Sequence, residues 1–154
     1  MDGTVHLAGG RSTVRFERRL AHPPEKVWRA LTEPAQLASW FPVAPDWELT
    51  PGAKIRFELL NERAPAGEGE IIAVDPPRLL EYSWDASVLR WELTPDGDGT
   101  RLVFTDTSTE VERVPQELAG WHVGLEALDA SLLGRPLPYS EQLNRLEELL
   151  PRYA

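Results

Sequence analysis

The 154-residue chain contains no cysteine. That excludes disulfides, thiolate nucleophiles, zinc–thiolate sites and iron–sulfur clusters together. Lysine is nearly absent as well, with Lys26 and Lys54 as its two occurrences, and 25 acidic against 16 basic residues leave a formal net charge of -9. The chain therefore lacks the basic footprint that holds nucleic acid, and an anionic membrane surface would repel it. No run of about 18 apolar residues is present, so no membrane-spanning helix is expected. Residues 1–12 lack the basic start and apolar run of a secretory signal, and the expected compartment is the cytoplasm. The three histidines, His6, His22 and His122, stand at no spacing that pairs two as metal ligands; neither a metal nor another cofactor is expected. A G-x-S-x-G elbow, a phosphate-cradling glycine loop and a dinucleotide fingerprint are also missing.

What is present is a globular composition, 42% apolar and 27% charged, at the length of one ordinary domain. Residues 1–12, with Gly9-Gly10, read as a loose arm. From Thr13 to Leu20 apolar Val14, Phe16 and Leu20 alternate with Arg15, Glu17 and Arg19, the period of a half-buried strand. Pro23-Pro24 ends that strand and opens a helix with Val27, Trp28 and Leu31 as its stripe, and Ala35–Phe41 reads as a second short helix. Strands then follow over Asp46–Leu49, Lys54–Leu60, Glu68–Val74, Arg78–Trp84, Val88–Leu93 and Arg101–Thr107, with Asn61–Gly67 as a loop. Asp96-Gly97-Asp98-Gly99 marks a hairpin, because Asp-Gly pairs tolerate positive φ.

After Pro115 the period changes. Leu118, Trp121, Leu125, Leu128 and Leu132 are spaced three and four apart, a helix of about five turns. Gly134 and Pro136 end it. Gly120, Gly124 and Ala127 fall on a neighbouring face where a second backbone could approach. Ser140–Leu150 predicts a short amphipathic helix with Ser140 as its N-cap. The order predicts an α+β domain over 13–136, with 137–154 as a C-terminal extension.

The stretch Pro24-Glu25-Lys26-Val27-Trp28-Arg29-Ala30-Leu31-Thr32-Glu33-Pro34, with Leu37 and Trp40-Phe41, resembles the opening of the SRPBCC (START-like, helix-grip) superfamily. More narrowly it is similar to the branch named for the activator of the heat-shock-protein-90 ATPase. Asp75-Pro76-Pro77-Arg78-Leu79 before Tyr82-x-Trp84, the hairpin Glu92–Leu102, and Gly120-Trp121 in the long helix extend the resemblance from about Val14 to Pro136. It implies a curved antiparallel sheet of six to seven strands wrapped around a long C-terminal helix, with two short helices after the first strand. Members bind lipids, hormones and polyketides or act as cyclases and hydrolases, so the fold does not decide the function. The eukaryotic activator carries a separate N-terminal domain for its chaperone; this chain has no room for one, so ATPase activation is not carried over.

The expected site is a cavity between sheet and long helix, where concave apolar space takes small ligands. Trp40, Phe41, Tyr82, Trp84, Trp91, Phe104, Trp121, Leu125 and Leu128 form its wall, the alternative for Trp40, Trp84, Trp91 and Trp121 being that they simply fill the core; Trp28 and Trp47 read as packing. Tyr82, Asp106 and His122 supply polar contacts. Asp106 continues the inward phase of Leu102 and Phe104, and Arg18 that of Phe16 and Leu20, where an unpaired charge is costly. The two either pair with each other, grip a polar ligand group, or lie at strand ends and reach water, the reading favoured for Arg18. His122 flanks the apolar stripe with Glu126 and Asp129 in reach, either as a pocket-edge base or as a partly exposed histidine beside a helical carboxylate. The leading expectation is a module that binds a small hydrophobic molecule. A cyclase, dehydratase or hydrolase using His122 and Asp106, and an interaction module for a protein partner, are the alternatives. A monomer or weak homodimer is expected; a chaperone partner is suggested by the family's name alone.

Overall fold

The computed structural model describes residues 2–60 and 64–154. Eight strands, β1 (Thr4–Ala8), β2 (Arg11–Leu20), β3 (Val43–Asp46), β4 (Lys54–Leu59), β5 (Pro65–Asp75), β6 (Leu79–Trp84), β7 (Ser87–Asp96) and β8 (Gly99–Ser108), form one antiparallel sheet in the order β1-β2-β8-β7-β6-β5-β4-β3. Between β2 and β3 lie two short helices, α1 (Pro24–Thr32) and α2 (Pro34–Leu37). After β8, one 3₁₀ turn leads into α3 (Val114–Leu132), followed by α4 (Tyr139–Tyr153). Register shifts at Arg56/Glu58 and Ile71/Ala73 bend the sheet, as bulges do. No helix among the described residues is long and apolar enough to cross a membrane.

The eighth strand is the one that the sequence pattern did not announce. Residues 1–12, expected as a loose arm, contribute β1, which pairs with β2 from Thr4↔Arg15 to Ala8↔Arg11. Gly9 and Gly10 adopt φ +60° and +75°, the double left-handed turn that a two-residue hairpin demands. Every β1 residue is exposed, so ladder hydrogen bonds rather than burial hold it. Two further boundaries move. The second helix ends at Leu37, leaving Trp40-Phe41 in a turn, and the strand expected at Asp46–Leu49 is instead Val43–Asp46. Trp47 leaves the sheet to set its ring against Tyr82, centroids 5.2 Å apart. Pro45 is tolerated because β3 is an edge strand. Of the expected loop Asn61–Gly67, residues 61–63 lie outside the described residues, while 65–67 belong to β5.

The inward phases of the strands align into rows across the sheet. Phe16 pairs with Phe104, Phe104 with Trp91, and Trp91 with Leu80. The next row runs Val14, Asp106, Leu89, Tyr82 and Ile71. Aromatic rings fill the concavity: Trp91 lies 4.2 Å from Phe104, Phe104 4.4 Å from Trp121, and Phe57 4.6 Å from Trp84. Such offset and tilted pairs add to the burial of their area.

Helix α3 lies across these rows and is buried on two sides. Leu118, Leu125, Leu128 and Leu132 join the sheet core, while Ala119 and Val123 pack with Leu149 of α4 and its neighbours Leu146, Leu150 and Tyr153. Lys26 of α1 donates to the Leu132 carbonyl at 2.9 Å, a cation at the negative end of the helix. Helix α4 begins at Tyr139 after Pro138, so Ser140 lies inside its first turn and is not the N-cap.

Trp91 is only 1% exposed, so Trp91→Ala opens a cavity in the middle of the row. Equilibrium urea denaturation should show a loss of about 3–5 kcal/mol. A loss under about 1 kcal/mol would mean that the sheet and α3 do not close on this ring.

Candidate functional site

The open apolar recess lies beside, not beneath, the long helix. Trp40, Phe41 and Pro42 after α2, Trp84 at the end of β6, the first turns of α3 and the first half of α4 enclose a groove of about 330 Å³. Its three indoles have already placed their N–H groups. Trp40 Nε1 donates to the Ala30 carbonyl at 2.8 Å, Trp84 Nε1 to the Ala66 carbonyl at 2.8 Å, and Trp121 Nε1 to Asp106 Oδ2 at 2.9 Å. What remains for the groove is carbon surface. Phe41 knits the wall, stacking on Trp121 at 6.0 Å and meeting Trp84 edge-on at 5.8 Å.

Two glycines form bare stretches of α3 on this wall. A Cβ at Gly120 would meet nothing within 4 Å, and one at Gly124 would meet only the Trp121 ring, at 3.7 Å. The expected close backbone approach at these positions is not what they serve. They leave room under Leu143 and Leu146 of α4.

Glu117 is the functional candidate that the sequence pattern left out. It lines the groove, and its Oε2 is buried without a hydrogen-bond partner. Burial pushes its carboxyl up to about 7, with Asp106 adding to the rise, Arg113 opposing it, and Glu110 and Glu112 adding smaller amounts. A carboxyl held near neutrality in an apolar cleft is a recurrent mark of a working site. The available signal was spacing, since Glu117 precedes Trp121 by four residues and so shares its side of the helix.

Asp106 points inward as its phase predicts and is 3% exposed. Its partner is Trp121 and not Arg18, and its Oδ1 has no hydrogen-bond partner. Burial raises this carboxyl, while the Trp121 N–H pulls it back. Arg18 instead lies over the Phe16 ring at 5.3 Å and donates to the Glu17 carbonyl.

His122 does not line the groove. One step of about 100° past Trp121 turns it toward β2 and α4, where Nδ1 lies 2.8 Å from the Tyr153 hydroxyl and the ring meets Phe16 edge-on. Its Nε2 is 3.4 Å from the Glu126 carboxylate, which Arg145 grips with two hydrogen bonds of 2.8 and 3.0 Å. Asp129 is exposed. The histidine is 4% exposed, because α4 covers the flank that was expected to be partly open. Burial lowers its pKa, Glu126 opposes this, and Arg18 and Arg145 add to it, so the ring is neutral near pH 7. Neither His122 nor Asp106 is among the described residues that line the groove. Tyr82, Trp91, Phe104, Leu125 and Leu128 are core residues and not groove walls. Burial also pushes the Tyr82 phenol well above its ordinary value, so it stays protonated. Among the described residues no three His, Asp or Glu side chains converge as a metal site.

The family model for "Activator of Hsp90 ATPase homolog 1-like protein" matches residues 21–132. The chain belongs to this family. No curated protein matches it. Solved structures share its fold. CalU16 from Micromonospora echinospora is 22% identical, over 98% of this chain and 95% of that one, with a TM-score of 0.69. A conserved protein of unknown function, EF2215 from Enterococcus faecalis, is 22% identical over 99% and 92%, with a TM-score of 0.73. DynU16, a protein of the dynemicin biosynthetic locus, is 26% identical over 80% of this chain and 48% of that one, with a TM-score of 0.65. The sheet and long helix are those of the helix-grip fold, as the resemblance in the sequence implies.

A raised carboxyl makes stability depend on pH in a known direction. From the ordinary value of 4.5 to about 7, folded Glu117 keeps a proton that the unfolded chain has released, so its contribution falls as pH rises through that window. Glu117→Gln removes this loss. Denaturation should show the variant gaining about 1 kcal/mol on the parent between pH 5 and pH 8, a figure discounted for the partial exposure of the side chain. A gap that stays constant with pH would place Glu117 in water.

Proposed function

We propose that this chain binds a small, mainly apolar molecule in the groove walled by Trp40, Phe41, Trp84, Trp121 and the first half of α4. The observation that carries this reading is the pair of glycines in α3. Glycine inside an exposed helix face costs roughly 0.5–1 kcal/mol relative to alanine. Nothing stands over Gly120 that a methyl group would strike, so packing does not require the glycine. Open space above it is what alanine would take away.

The walls support the same reading. Indoles whose N–H groups are already bonded offer apolar contact with little competition from water, and a few polar side chains at the rim, Gln116, Glu117 and Gln142, are available to orient a ligand. The place of DynU16 in a biosynthetic locus for dynemicin supports a small organic occupant over a macromolecular one. The ligand site thus moves from the space between sheet and helix, which aromatic rings occupy, to the outer side of the same tryptophans.

Titration with a panel of lipids, flavonoids, polyketides and aromatic metabolites, followed by tryptophan fluorescence, tests the proposal together with two substitutions. Gly120→Ala should raise stability by about 0.5–1 kcal/mol. Gly120→Leu should keep the fold and weaken whichever panel member binds by at least about tenfold, because its side chain takes the ligand's place. Undiminished affinity in Gly120→Leu would put the ligand elsewhere.

A further inference from the structure

Among the described residues that wall the groove, Glu117 is the one acid and Arg113 the one base. Arg113 is turned to the rim, with its side chain 63% exposed and Nη1 3.5 Å from Glu110. Glu117 has no such partner for its buried Oε2. The groups around it are mostly of its own sign: Asp106 from β8, and Glu110 and Glu112 before α3, against Arg113 alone. From α4 the groove receives Tyr139, Gln142, Leu143 and Leu146, none of which brings a cation. A carboxylate with one oxygen buried and unpartnered is costly even when the rest of the side chain is partly exposed, and a cation delivered into the same apolar space lowers that cost. Aromatic walls favour a cation too, through the negative faces of their rings.

Resting on the reading of the groove as a ligand site, we propose that its ligand is an apolar molecule carrying a positively charged nitrogen, which pairs with the Glu117 carboxylate. The carbon skeleton lies along Trp84, Trp121 and Leu146, and the nitrogen sits toward the first turn of α3. Binding then draws Glu117 into its ionised form, so uptake of the cation near neutral pH releases a proton.

Three probes with one skeleton separate charge from apolar contact: 4-phenylbutylamine, 4-phenylbutan-1-ol and 4-phenylbutyrate. Calorimetry at pH 8 should find the amine at least about tenfold tighter than the alcohol, with the carboxylate weakest. At pH 5.5, with Glu117 protonated, the amine-to-alcohol ratio should fall toward one, and in Glu117→Gln it should be near one at both values. Near pH 7, titrations in two buffers of different ionisation enthalpy should show proton release with the amine and none with the alcohol. Equal affinity of amine and alcohol at pH 8, or an amine preference that survives Glu117→Gln, overturns the inference while leaving the groove as a ligand site. Absence of binding by all three overturns the groove reading, and this inference with it.

Discussion

Helix α3 presents apolar residues around most of its circumference, and a helix of that kind must be covered on more than one side. The bent sheet takes Leu118, Leu125, Leu128 and Leu132; α4 takes Ala119 and Val123. Water would otherwise meet the second face, so the C-terminal helix is a structural layer of the fold. Its polar fastenings follow the same line, with Tyr153 on His122, Arg145 on Glu126, and the Gly3 N–H on the Tyr153 hydroxyl at 3.1 Å. The groove opens where this second layer meets glycine instead of a side chain.

That geometry explains why the space expected between sheet and helix is filled. Seven large aromatic residues, Trp40, Phe41, Phe57, Trp84, Trp91, Phe104 and Trp121, interlock at centroid separations from 4.2 to 6.0 Å. Among the described residues, rings at this spacing fill the concavity with contacts to one another. Trp84 and Trp121 are half-buried, with one side against the core and the other toward the groove, while Trp40 and Phe41 lie buried behind them; under the proposed function the same side chains would serve stability and recognition. Glycines at 120 and 124 and a carboxyl oxygen buried without a partner at 117 are places where the helix departs from what stability alone would select.

Much of the fold was legible because its strands repeat with period two. Val14, Phe16 and Leu20, or Leu89, Trp91 and Leu93, place themselves on the inner face without reference to any partner, and Asp-Gly at 96–97 marks its own turn. The strand at Thr4–Ala8 was not legible in this way, since it is exposed at every position and depends on backbone pairing with β2. Of the residues that the sequence pattern places in the wall, Trp40, Phe41, Trp84 and Trp121 come together at the groove. Tyr82, Trp91, Phe104, Leu125 and Leu128 share their apolar chemistry but lie deeper. Residue type alone cannot separate the two sets, because a tryptophan in a wall and one in a core look the same in sequence. His122 was misplaced for a related reason: its partner Tyr153 is 31 residues away and belongs to a helix whose docking no local pattern reveals.

The central claim, that the ligand surface is the outer side of the aromatic layer and is shared with α4, is tested most directly by where a bound probe makes its contacts. Intermolecular nuclear Overhauser effects from a saturating apolar probe such as naphthalene should reach the Trp121 indole and the Leu143 and Leu146 methyls, and should be missing from Trp91 and Phe104. Contacts to Trp91, Phe104 and Leu128 with none to α4 would contradict the account and return the site to the space between sheet and helix.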